Sequence, residues 1–107
     1  MSPEPNDFWI PNANVLVNAA GELVIKVELA AMAKEDIKIT IDGQCLTLSG
    51  RRLDPDGKDG QYLVLEINHG RFESVLDVPK EFDLSRAQTT HQNGMLRIVA
   101  PRRTLTS

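Results

Sequence analysis

The chain carries a single cysteine, Cys45, in 107 residues. One thiol excludes an intrachain disulfide and fits a reducing compartment. Its two histidines, His69 and His91, stand far apart. Structural zinc asks for three or four ligands at short, regular spacing, so no metal site is expected. Aromatic residues make up only 5% of the chain, too few to stack nucleic-acid bases. The net charge of −3 offers no broad positive face for nucleic acid or an anionic membrane. No apolar run approaches the roughly 20 residues of a membrane-spanning helix. The opening Met-Ser-Pro-Glu-Pro-Asn-Asp lacks the basic and apolar regions of a secretion signal, and a cytoplasmic location is expected. There is neither a Gly-x-Gly-x-x-Gly nor a Walker loop, hence no phosphate cradle and no sign of ATP use. The acidic loop around Asp54, Asp56 and Asp59 fails calcium-loop spacing, because Lys58 and Leu65 stand where oxygen ligands are needed. Cys45 lies mid-strand in Cys-Leu-Thr-Leu, where a small half-buried apolar role is commonest. No catalytic residue and no cofactor are expected.

What remains is a chain of ordinary hydrophobic (41%) and charged (25%) content, the size of one domain. Residues 1–13 carry Pro3, Pro5 and Pro11 and read as a short arm, with Phe8, Trp9 and Ile10 as its anchor. From Val15 the pattern is of short strands parted by turn residues. Val15, Leu16 and Val17 form the first. Leu23, Ile25, Val27 and Leu29 then alternate with Val24, Lys26 and Glu28, predicting one buried and one largely wet face. Ala30 to Asp36 breaks the alternation and fits a short helical turn. Ile37, Ile39 and Ile41 alternate with Lys38, Thr40 and Asp42. Asp42-Gly43 signals a hairpin into Leu46 and Leu48, and Gly50 is expected to end that strand. A polar loop runs from Leu53 to Gly60, followed by the apolar run Tyr62, Leu63, Val64, Leu65. Phe72, Leu76 and Val78 mark the next strand, which Pro79 stops, and Ala87 to His91 reads as a weak, Thr-rich one. Asn93-Gly94 is the strongest turn signal, since both residues tolerate the positive φ of a type I′ turn. Leu96, Ile98 and Ala100 then alternate up to Pro101. Arg102 and Arg103 read as a solvated tail. Many short strands and no helical periodicity predict an all-β, antiparallel β-sandwich.

Five segments, in order, resemble the α-crystallin domain of the small heat-shock proteins, of the bacterial and plant type. They are Lys34-Glu35-Asp36-Ile37-Lys38-Ile39, Leu46-Thr47-Leu48-Ser49-Gly50-Arg51-Arg52, Glu66 through Gly70 with Phe72, Val78-Pro79, and Asn93 to Pro101. The resemblance covers residues 14–101, with 102–107 as a short tail. It departs from the family at Leu29-Ala30-Ala31, where Leu-Pro-Gly is usual, at Glu66-Ile67, where Glu-Arg is usual, at Ser74 for an arginine, and at Thr89 for an alanine.

The resemblance implies an immunoglobulin-like sandwich and an ATP-independent holdase, which binds partly unfolded clients and keeps them from aggregating. It implies a client or partner groove between the strand of Ile37, Ile39 and Ile41 and the strand of Ala87, Thr89 and His91. Core packing is the commoner fate of each isoleucine, and a core residue can also line a groove. It further implies a homodimer in which Tyr62, Leu63, Val64 and Leu65 swap onto Val15, Leu16 and Val17 of a second copy. A short strand apolar on both faces needs cover on both sides, which favours the swap independently. Asn93 and Gly94 are the structural turn. The family's Ile-x-Ile motif is missing after Pro101, so no assembly beyond the dimer is expected. Two other readings stay open: a co-chaperone domain serving an ATP-dependent chaperone, and a dimerising scaffold with weak client binding.

Overall fold

A computed structural model describes residues 9–53, 60–61, 63 and 69–104. Among these residues seven strands form two antiparallel sheets: β1 (Ala13–Val17), β2 (Leu23–Glu28), β3 (Ile37–Asp42), β4 (Cys45–Arg52), β5 (Gly70–Asp77), β6 (Gln88–Gln92) and β7 (Met95–Ala100). One sheet runs β1-β2-β7-β6 and the other β3-β4-β5. Short 3₁₀ turns at Lys34–Asp36 and Leu84–Arg86 precede β3 and β6. The all-β sandwich expected from the strand pattern is the architecture found.

Period-two alternation builds the core. Leu23, Ile25 and Val27 of β2 lie opposite Ala100, Ile98 and Leu96 of β7, and all six are buried. Leu46, Leu48 and Phe72 face them from the second sheet, and Leu29, Met32, Val78, Phe82 and Leu84 fill in from the connections. The predicted wet face of β2 is dry at Val24, which is 1% exposed. Its cross-strand neighbours on that face are Leu16 and Val99, and a central strand flanked by apolar residues is shielded on both sides.

Two further expectations are corrected, and the β3–β4 turn is refined. Gly50 does not end β4; the strand continues to Arg52, with Gly50 paired between Ile37 and Phe72. A Cβ there would lie 2.2 Å from the Asp36 carbonyl oxygen and under 3 Å from the Phe72 ring, so the glycine serves close packing. In the β3–β4 hairpin, Asp42 pairs with Cys45, which makes Gly43 and Gln44 the loop residues. The hairpin expected at Asp42-Gly43 is therefore found, and only Gly43 in its loop has positive φ (63°), the pattern of a Gly-first turn. Arg102 and Arg103 are exposed, as a tail would be, but they are tied to the sandwich rather than free. The Gln44 side-chain amide lies within hydrogen-bond distance of the Val78, Pro79 and Phe82 carbonyls (2.9–3.1 Å). Arg103 donates from Nε to Lys80 O (2.7 Å) and from its backbone to Glu81 O (2.8 Å), and its guanidinium binds the Gln44 amide oxygen. The loop after Pro79 leaves carbonyls that no strand satisfies, and these side chains supply the donors. Arg102 stacks over the Phe82 ring.

At the other terminus Trp9 is the anchor. Its backbone N–H donates to Arg71 O and its indole N–H to Gly70 O, both at 3.1 Å. Its ring lies 5.3 Å from that of Phe72 and beneath the Arg52 guanidinium. Ile10 is exposed, and Phe8 lies outside the described residues.

Candidate functional site

The two sheets do not close against each other along β3 and β6, which are edge strands of different sheets. Register turns their alternate residues inward. Ile39 pairs with buried Leu48, Thr89 with buried Ile98, and His91 with buried Leu96. Between the strands lies a groove of about 520 Å³, within the usual range of binding pockets. Ile37, Ile39 and Leu96 give it an apolar floor, Thr89, Thr90 and His91 form the β6 wall, and Lys34 of the first 3₁₀ turn stands at one end. Asp36 shapes that end, because its carboxylate accepts from the Ala33 N–H (3.1 Å) and closes the turn.

The structure therefore brings four of the six groove residues named from sequence around one cavity: Ile37, Ile39, Thr89 and His91. Ile41 faces the same way but is 44% exposed beyond the groove. Ala87 closes the second 3₁₀ turn and packs on the core instead. Neither Ile37 nor Ile39 is fully buried, since an edge strand has cover on one side only. Lys34, Thr90 and Leu96 were not foreseen. The inward alternation of Leu96 with Ile98 was a usable signal for that residue, whereas Lys34 and Thr90 reach the groove only through tertiary placement.

The turn that ends β6 holds Asn93 at φ 53° and Gly94 at φ 75°. Both angles are positive, the geometry of a type I′ turn. Gly94 also accepts from the Leu29 N–H (2.8 Å), and a Cβ on it would lie 3.0 Å from Ala30 Cα. The turn thus joins β6 to the segment that leads into the first 3₁₀ turn.

A second surface is the outer edge of β1. Val15, Leu16 and Val17 are 54%, 39% and 50% exposed, and among the described residues β1 pairs on one side only, with β2. An apolar edge strand invites another strand. Of the run expected to meet it, Tyr62, Val64 and Leu65 lie outside the described residues, and Leu63 is 94% exposed. Among the described residues no helix is long and apolar enough to cross a membrane.

Comparison with known proteins adds to this geometry. The profile of the Hsp20/alpha crystallin family matches residues 15–107. The chain is similar to an 18.2 kDa class I heat shock protein of Medicago sativa, 30% identical over 81 residues that cover 74% of this chain and 51% of that one. It is similar to small heat shock protein C4 of Rickettsia felis, 25% identical over 92% of this chain and 60% of that one. The chain thus spans about half to three fifths of the length of these relatives. Among solved structures, a small heat-shock protein from Xylella fastidiosa superposes with a TM-score of 0.84 at 20% identity, covering 94% of this chain and 93% of that one.

Proposed function

This chain belongs to the Hsp20/alpha crystallin family, and on that premise we propose that it is an ATP-independent holdase that binds partly unfolded proteins and keeps them from aggregating. The observation that carries the reading is the open groove with its Ile37, Ile39 and Leu96 floor. An unfolding client presents extended apolar segments. Such a segment can lay alternate side chains into the groove while its backbone pairs with an edge strand. Burying one aliphatic side chain is worth about 1.5–3 kcal/mol. Two of them give about 3–6 kcal/mol before the cost of ordering the segment. The resulting capture is weak and tolerant of many aliphatic sequences, which suits a protein that meets many clients. The work needs no nucleotide, metal or catalytic group.

The same proposal includes a homodimer by strand exchange, with the Tyr62 to Leu65 run of one copy laid along β1 of the other. The exposed apolar edge at Val15, Leu16 and Val17 supports it. The single thiol supports a reducing, cytoplasmic setting.

The test is a heat-labile enzyme warmed with and without this chain while light scattering is followed. Scattering is expected to fall as the chain approaches and exceeds equimolar amounts, without ATP. Unchanged scattering at several-fold excess overturns the holdase reading.

A further inference from the structure

The groove is not uniformly apolar: two threonines and His91 line its β6 wall, and its one charged lining residue, Lys34, stands at one end. Lys34 comes from the 3₁₀ turn just ahead of Ile37, and His91 from the last residues of β6. Both belong to the end of the sandwich where the Asn93–Gly94 turn packs on Ala30. Lys34 has no ion-pair partner among the described residues, and no carboxylate lines the groove there. The same turn carries two carboxylates: Asp36 is engaged by the Ala33 N–H, and Glu35 is exposed and does not line the groove. His91 adds a second unmet demand: its Nε2 is shut off from water and has no hydrogen-bond partner. A polar group left in that state is a standing cost, which an incoming partner removes when the ring turns its nitrogen toward the groove. The far part of the cavity, at Ile39 and Thr89, carries no charge.

We propose that this groove prefers extended aliphatic segments that carry a carboxylate at one end, an Asp or Glu side chain or a chain terminus, seated between Lys34 and His91. The inference rests on the groove being the client site and names the class of segment that fits it best. The aliphatic side chains occupy the floor of Ile37, Ile39 and Leu96. The carboxylate meets the Lys34 ammonium and accepts from the imidazole N–H. A segment with a lysine in that place meets like charge and an unsatisfied histidine. Lys34 is exposed, so the preference is modest, about fivefold. It falls as salt is raised.

The experiment uses three fluorescein-labelled peptides of one aliphatic, alternating sequence, ending in Glu, Gln or Lys with an amidated terminus. Fluorescence polarisation with the whole chain at low salt reads their affinities. The Glu peptide is expected to bind about fivefold tighter than the Gln peptide, and the Lys peptide weaker than both. Lys34→Gln is expected to erase most of the difference and Lys34→Glu to reverse the order. Lys34 lies on an exposed turn, so both variants keep the fold, which circular dichroism checks. Equal affinity for the Glu and Gln peptides in the wild type overturns this proposal alone, provided that Ile39→Asp abolishes binding of the Gln peptide. Absence of binding by all three peptides overturns the groove reading as well.

Discussion

Ala31 holds a backbone angle that L-residues avoid, φ 62°. It stands where the sequence departs from a Leu-Pro-Gly pattern, so the left-handed turn persists without the glycine that suits it. Left-handed backbone costs an alanine about 1–2 kcal/mol. Glycine would remove that strain but free the unfolded chain by about 0.4–1 kcal/mol. Ala31→Gly is therefore expected to stabilise by about 0.5–1 kcal/mol, read as a raised urea midpoint. Gly50 is the opposite case. Its neighbours are a backbone carbonyl and an aromatic ring, neither of which can give way cheaply. Gly50→Ala is expected to destabilise by about 3 kcal/mol, visible in the same titration. Nothing in Ala30-Ala31 marks a positive φ, and Gly50 read from sequence as a strand end. Both residues are explained only by what approaches them in space. Asn93-Gly94 is different, because its conformation follows from the two residues themselves.

At the scale of elements, the second 3₁₀ turn and the C-terminal segment depend on each other. Asp83 caps the turn by accepting from the Ser85 backbone N–H (3.1 Å) and hydroxyl, and its backbone donates to Pro101 O (2.8 Å). The Ser85 hydroxyl bond, with help from Arg103 and Arg86, holds the Asp83 carboxyl below its ordinary value of 3.8. A depressed carboxyl stabilises the fold above the unfolded-state value and loses that contribution as pH falls through the folded one. Asp83→Asn is therefore expected to lower the melting temperature at neutral pH. The gap to wild type should close in acid, below about 3.8. A gap that stays constant into acid would show the charge to be irrelevant. The strands themselves were legible, since alternation located β2, β3, β4 and β7 closely. The latch of Gln44 on Arg103 was not, because the two are 59 residues apart and carry no joint pattern.

At the scale of the whole molecule, the sheets of the described residues have four edge strands, β1, β3, β5 and β6, of which β1 offers one surface to partners and β3 with β6 the groove. The proposed strand exchange would use β1 and the proposed client capture the groove, so the two can be tested separately. Deleting Tyr62 to Leu65 is expected to shift the mass measured by light scattering from twice 11.9 kDa toward that of one chain. The short groove peptides should still bind. An unchanged dimer mass overturns strand exchange. Loss of peptide binding together with the dimer would mean that the groove needs the second copy.

Sequence by itself determined which residues face inward. Period-two alternation is a local property, and burial of apolar side chains enforces it wherever a strand has a core to face. It also determined the last hairpin turn, through the positive φ that Asn and Gly accept. Only the tertiary structure decided which inward positions are core and which are groove. Ile25 and Ile39 follow the same pattern, yet one is buried in a central strand and the other half-covered at an edge. That difference lies in the order of strands within each sheet, and no local pattern encodes it. That Lys34 and His91 line one groove has the same origin: they are more than fifty residues apart, and only the packing of the two sheets brings their segments to it.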